Sequence, residues 1–207
     1  MSLKTIIVAD GDFPSHEIPL GYLRNAERIV CCDGSVEKLL KAGFHPDAIV
    51  GDMDSLSCEI AAEFTDRIFA DKDQETNDLT KAVFWCFKMG YNDLVILGAT
   101  GKREDHTLGN ISLLAEYAEF VKVIMVTDNG IFLPLLKSCS LPSFPGQQVS
   151  LFSVNPEIKV TSTGLKYPLT QCRLKSWWVA TLNEALGNSF SLEFEKGSIL
   201  VFLRFAE

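Results

Sequence analysis

The sequence predicts an α/β protein in which an N-terminal, mainly parallel three-layer α/β domain is followed by a C-terminal antiparallel β-sandwich domain. Two changes of texture predict this. Up to about residue 127, short apolar runs alternate with longer amphipathic stretches, and strands that alternate with helices need crossover connections and a parallel sheet covered on both faces. After about residue 130 the helical period fades into strand-like runs punctuated by Gly, Pro, Asn and Ser. The boundaries expected are 1–129 and 130–207.

In the first half the expected strands are Leu3–Ala9, Arg28–Cys31, Ala48–Val50, Arg67–Ala70, Asp93–Leu97 and Val121–Val126. The spacing predicts helices over Ser35–Ala42, stopped by Gly43, over Asn77–Met89, stopped by Gly90, and over His106–Ala118, with Leu108, Ile111, Leu114 and Ala115 on its apolar side. In the second half Ile131–Leu136, Gln148–Val154, Ile158–Thr161, Arg173–Leu174, Ser189–Phe194 and Ile199–Phe205 read as strands. A turn is expected at Asn129-Gly130 and a loop at Leu141–Gly146.

Composition narrows the function. A chain of 207 residues, 47% hydrophobic, can bury a substantial core. A net charge of −8 argues against nucleic acid as partner, because phosphate backbones are held by concentrated Lys and Arg. The six cysteines contain no Cys-x-x-Cys pair and read as reduced thiols. Met1-Ser2-Leu3-Lys4-Thr5 lacks an apolar signal core, and no apolar run is long enough to cross a bilayer, so no membrane partner and a cytoplasmic location are expected.

Four acidic segments stand where a strand gives way to a loop or helix: Cys32-Asp33-Gly34-Ser35, Gly51-Asp52-Met53-Asp54-Ser55, Asp71–Asp78 and Arg103-Glu104-Asp105-His106. Each alone suits a turn or helix cap. In an open α/β sheet, however, loops at the carboxyl ends of the strands converge on one ligand. Dispersed carboxylates at such an edge suit Mg²⁺, a hard cation that takes one or two of them and completes its octahedron with water and substrate phosphates. Gly98-Ala99-Thr100-Gly101-Lys102-Arg103 is neither a P-loop nor a dinucleotide fingerprint. It is a glycine loop with two cations, leading into a helix N-terminus that favours anions.

These segments, extended to Asp73–Lys81 and Gly98–Ile111 and joined by Gly164-Leu165-Lys166-Tyr167-Pro168-Leu169, resemble in order the motifs of the thiamine pyrophosphokinase family. The resemblance spans nearly the whole chain. It implies transfer of the diphosphate of ATP to the hydroxyl of thiamine, giving thiamine diphosphate and AMP, by a homodimer whose active sites lie between subunits. By position it implies magnesium ligands at Asp52, Asp54 and Asp78, with Asp78 alternatively accepting the alcohol proton. Asp54, Asp78 and Arg103 would be catalytic, and Asp33, Gln74, Lys81, Lys102 and Asp105 would surround the ATP. Thr181 and Asn183 fall near the family's acceptor-binding positions, although no hydroxyl directly precedes Asn183, and Asn77 stands where the family commonly has threonine.

Thiamine is an aromatic cation, which makes Trp177 and Trp178 candidates for its pocket, although strand alternation would send them to opposite faces. His106 is expected to cap or orient its helix, and His16 and His45 to be surface or loop residues. Two other readings use the same residues: a diphosphotransferase acting on another hydroxymethyl heterocycle such as a pterin, and a non-catalytic nucleotide or thiamine sensor.

Overall fold

The computed structural model describes residues 4–206, so Leu3, at the start of the first expected strand, lies outside the described residues. The described chain forms two compact units. One runs to Ile111 and includes Phe120–Asp128; the other comprises Ser112–Glu119 and the chain from Asn129 onward.

The first unit is built on strands β1 (Thr5–Val8), β2 (Arg28–Cys32), β3 (Ala48–Gly51), β4 (Ile68–Ala70), β5 (Asp93–Leu97) and β6 (Lys122–Val126). All of them pair in parallel, in the order β4-β3-β2-β1-β5-β6. Residues of β1, β2, β3 and β5 are buried on both faces, as parallel sheets require, which is why they read as unbroken apolar runs without alternation.

Five helices connect these strands: α1 (Glu17–Arg24), α2 (Val36–Lys41), α3 (Cys58–Glu63), α4 (Asp78–Lys88) and α5 (Glu104–Tyr117), the last belonging to this unit through its N-terminal part. Asn77 caps α4 by accepting from the Thr80 amide at 2.8 Å, and Gly90, at φ 80°, follows the helix end. Helices α1 and α3 were not expected from the periodicity. The first carries Pro19 in its opening turn, where a missing N–H is harmless, and is capped by His16, whose Nδ1 accepts from the Ile18 amide. The second is six residues long, too short to display a period.

The second unit holds two antiparallel sheets. One pairs β12 (Asn183–Glu184), β9 (Gln148–Phe152), β14 (Ile199–Arg204) and β7 (Gly130–Leu135). The other pairs β11 (Cys172–Arg173), β10 (Lys159–Thr163), β13 (Ser189–Glu193) and β8 (Cys139–Pro142). Every second residue of β9, β10 and β13 is buried, so Val149, Leu151, Val160, Phe190 and Leu192 form one core with Ile199 and Val201. Strand β8 corrects part of the loop expected at Leu141–Gly146. Leu141 and Pro142 extend an edge strand, where proline's missing donor does no harm.

Candidate active site

Strand order reverses around β1, because the chain walks outward through β2, β3 and β4 and then returns to place β5 on the other side. A crevice at the carboxyl ends is the expected ligand site of such a sheet. A cavity of about 320 Å³ opens there, lined among others by Asp10, Gly11, Cys32, Ser55, Asn77, Asp78, Gly101, Lys102, Arg103, His106 and Asn110. Backbone pairing carries on past the strands, from the Gly11 amide to the Gly98 carbonyl at 2.6 Å and from Asp12 to Thr100 at 2.8 Å. A side chain on Gly11 would meet the Thr100 carbonyl oxygen at 2.3 Å, so the close approach of these two loops needs glycine.

Asp33, Asp52 and Asp54 each bring a carboxylate oxygen within 4.8 Å of the others. Asp33 lies in a 3-10 turn directly after β2, buried at 3% exposure. Its Oδ1 accepts from the Gly34 amide at 2.7 Å and its Oδ2 from the Met53 amide at 3.0 Å. Met53 stands in the left-handed region at φ 71°, which costs a non-glycine residue about 1–3 kcal/mol. That conformation forms the turn whose flanking carboxylates gather on Asp33. Burial, reinforced by the charge of Asp78, raises the Asp33 pKa above the usual carboxylate value. The pKa of Asp52 is lowered, chiefly by hydrogen bonding with Asp54.

A hard divalent cation fits this donor set. Three carboxylate oxygens lie within 4.8 Å of one another, and oxygens across a magnesium octahedron lie about 4.2 Å apart at metal–oxygen distances of about 2.1 Å. The neighbouring thiol is unsuited to ligation: burial first, then the charge of Asp78, pushes Cys32 well above its ordinary pKa. Asp78 was expected among the ligands and lines the cavity, while the compact trio contains Asp33 in its place.

Asp78 is instead engaged by Lys81, one turn along α4, whose Nζ lies 3.0 Å from Asp78 Oδ1 and 3.7 Å from Asp52 Oδ2. The resemblance sets this lysine among the residues around the ATP, and the structure buries it at 4% exposure. Burial disfavours its charge, but the hydrogen bond to Asp78 and the charges of Asp78, Asp52 and Asp71 outweigh that, and its pKa is raised.

The loop after β4 is organised by its own carboxylates: Asp71 accepts from the Asp73 amide, and Asp73 from the Glu75 amide and the Thr76 hydroxyl. Gln74 is exposed on this loop. Asn77 donates to Asn110 at 3.3 Å, and Asn110 to the Ala99 carbonyl at 2.9 Å, tying α4 to the glycine loop and α5. Arg103 and Asp105 are exposed and form a two-pronged ion pair that lowers the Asp105 pKa to about 2. His106 lies within α5 rather than at its cap, and it lines the cavity.

Sequence reading missed Asp10, the first carboxylate on the cavity wall after β1, and Lys38 on α2, which pairs with it at 2.7 Å. The signal was present in Ala9-Asp10-Gly11-Asp12, a fifth acidic segment at a strand end.

The remaining expected residues lie in the second unit. Asn183 is buried at 2% exposure, and its amide is committed to Tyr167, accepting from the Tyr167 amide at 3.0 Å and donating to its carbonyl at 2.7 Å. Thr181 donates to the Trp178 carbonyl at 2.8 Å. Trp177 and Trp178 sit in a turn rather than on a strand. Trp178 is 77% exposed, whereas Trp177 packs edge-on against Phe152 at 5.9 Å. Strand alternation therefore does not decide their directions.

Clustered carboxylates beside cations, at the switch point of a parallel α/β sheet, have the chemistry that a phosphorylated ligand accompanied by a divalent ion requires. A family model described as the thiamin pyrophosphokinase catalytic domain matches residues 20–126, and one described as its substrate-binding domain matches residues 130–202. The chain is 31% identical to the thiamine pyrophosphokinase of Bacillus subtilis, over 98% of this chain and 99% of that protein. The crystal structure of thiamine pyrophosphokinase from Bacillus subtilis superposes with a TM-score of 0.80 at 25% identity, covering 99% of this chain and 100% of that one. That of thiamin pyrophosphokinase from Geobacillus thermodenitrificans has a TM-score of 0.78 at 24% identity, covering 99% of each. The chain belongs to the thiamin pyrophosphokinase family, a family of transferases.

Proposed function

We propose that this protein transfers the diphosphate of ATP to the hydroxyl of thiamine, with Mg²⁺, yielding thiamine diphosphate and AMP. The observation that carries this reading is the carboxylate trio Asp33, Asp52 and Asp54 beside a cavity bearing Lys102 and Arg103, in a chain of this family. A primary alcohol is a weak nucleophile and a triphosphate repels it, so positioning and charge neutralisation must supply most of the rate.

Asp33, Asp52 and Asp54 would hold the ion, which screens phosphate charge when bound. Asp78 would border the acceptor, held in place by Lys81, and take up the alcohol proton. Lys102 and Arg103 would meet phosphate oxygens, Arg103 after exchanging Asp105 for the ligand. Gln74, on the adjoining loop, is assigned to the nucleotide. The division of labour would be nucleotide and metal chemistry in residues 1–129 and acceptor binding and dimerisation in 130–207, with active sites between subunits of a homodimer. Thr181 and the exposed Trp178 are the acceptor contacts that fit this reading, and Asn183 would serve by fixing the Tyr167 backbone.

Among the described residues no helix is long and apolar enough to cross a membrane. The free thiols suit a reducing compartment, and we assign the protein to the cytoplasm. The test is direct. Purified protein given ATP, Mg²⁺ and thiamine should release AMP and form thiamine diphosphate in equal amounts. Failure to form thiamine diphosphate, or release of phosphate without an acceptor, would sink the assignment.

A further inference from the structure

We propose that Asp10 is a positioning residue for the phosphate tail: braced by Lys38, it holds the Lys102 ammonium on the wall of the β1/β5 cavity. The proposal deepens the function read above and rests on it for the identity of the ligand.

One carboxylate oxygen organises two cations. Asp10 Oδ1 accepts from Lys38 Nζ at 2.7 Å and from Lys102 Nζ at 2.9 Å. Lys38 Nζ also donates to the Gly11 carbonyl at 2.7 Å, which fixes it against the loop that carries Asp10. Asp10, Gly11 and Lys102 line the cavity, whereas Lys38 reaches the network from α2. Of these two cations Lys102 is the one on the cavity wall, and an ammonium held there has the sign a polyphosphate needs.

The backbone gives independent support. Lys102 sits at φ 53°, in the left-handed region that favours glycine, and a lysine there needs compensating contacts. The ion pair to Asp10 is such a contact, and it removes the side-chain freedom an exposed lysine would otherwise lose on meeting a ligand. Gly34 belongs to the same arrangement: a Cβ there would stand 2.9 Å from Asp10 Oδ2, so the missing side chain is what admits the Asp10 carboxylate. Gly101 likewise makes room for Asp12, whose Oδ2 would lie 2.1 Å from an added Cβ.

The sign of one substitution separates positioning from plain electrostatics. Asp10→Asn removes a negative charge next to a polyanion site, so charge alone demands tighter binding. Loss of the anchor demands weaker binding. Calorimetric titration of the full chain with inorganic tripolyphosphate and Mg²⁺ should show affinity reduced about tenfold in Asp10→Asn and in Lys38→Met, the scale of one lost charge-assisted hydrogen bond, with Lys38→Arg recovering most of it. In steady-state assays both weakened variants should raise KM for ATP more than they lower kcat, with KM for thiamine little moved.

Unchanged or tighter tripolyphosphate binding by Asp10→Asn overturns the proposal, as does a wild-type protein that binds none. Should Asp10→Asn fail to fold, Asp10→Glu decides, because it keeps the charge and displaces the carboxylate: weakened tripolyphosphate binding supports the positioning role and unchanged binding overturns it. A wild type that makes thiamine diphosphate while both variants bind like it refutes the positioning role and leaves the function intact. A wild type that binds tripolyphosphate, weakened in both variants, but forms no thiamine diphosphate refutes the function and leaves the positioning role intact.

Discussion

The Lys81 ammonium, on a side chain 3% exposed, joins Asp78 at 3.0 Å to Asp52 at 3.7 Å, coupling the first turn of α4 to the end of β3. One cation thus sets the spacing between a carboxylate of the Asp33, Asp52 and Asp54 trio and the carboxylate proposed to face the acceptor. Lys81→Met should lower stability by about 2 kcal/mol in urea denaturation at neutral pH, below the usual cost of breaking a buried pair because both aspartates retain solvent contact. The Lys81 pKa is raised on folding, so its stabilisation is fully present below the unfolded lysine value of about 10.4 and is lost as pH rises through the folded one. The gap between wild type and variant should therefore close in strong alkali. An unaltered unfolding midpoint at pH 7 would dismiss the coupling.

Magnesium should raise the thermal midpoint of the wild type, since a ligand of the folded state stabilises it in proportion to its occupancy. That increment should shrink sharply in Asp33→Asn and Asp54→Asn, variants that should otherwise remain folded. Turnover in Asp54→Asn and Asp78→Asn should fall by about a hundredfold or more. Near-normal AMP production by either would remove it from the site.

Acid should strip the ion before it unfolds the protein. The Asp33 pKa is raised, by burial and then by Asp78, while that of Asp52 is lowered, so Asp33 takes up a proton first as pH falls. A carboxyl with a raised folded pKa favours the folded state increasingly as pH falls through that value, so Asp33 protonation does not drive acid unfolding. The opposite sign holds for Asp105, pinned near pH 2 by Arg103: its contribution is present above the unfolded carboxylate value and fades toward about 2. Magnesium affinity followed by calorimetry against pH should drop while circular dichroism is still native. Coincident loss of both signals would contradict this order.

Gly51→Ala should impair activity by about tenfold or more while the protein stays folded. An added Cβ would stand 2.8 Å from the Asp33 Cγ, and the carboxylate must move away from Asp52 and Asp54. The effect should appear as a raised magnesium requirement. A variant with the wild-type magnesium profile would show that Asp33 need not occupy this position.

The parallel half was legible because its strands are buried on both faces and announce themselves as apolar runs such as Ile6-Ile7-Val8 and Leu94-Val95-Ile96-Leu97. The sandwich was legible by alternation, as in Val149 and Leu151 of β9. Two helices escaped notice because one opens with Pro19 in its first turn and the other is a single short stretch without a period. The carboxylates at strand ends could be picked out, but their grouping could not, since Asp33 and Asp54 are distant in sequence and meet through the left-handed turn at Met53.

By itself the amino-acid order determined the two-part architecture, the family motifs and the sheet edge that carries the acidic residues, because burial periodicity and strand-end chemistry are local properties. Tertiary structure decided which carboxylates share a centre, that Lys81 is buried between two of them, that Asn183 is committed to Tyr167, and that Asp10 draws Lys38 and Lys102 together. Those outcomes depend on distances between segments far apart along the chain, where side-chain charge and burial act through space and leave no pattern in neighbouring residues.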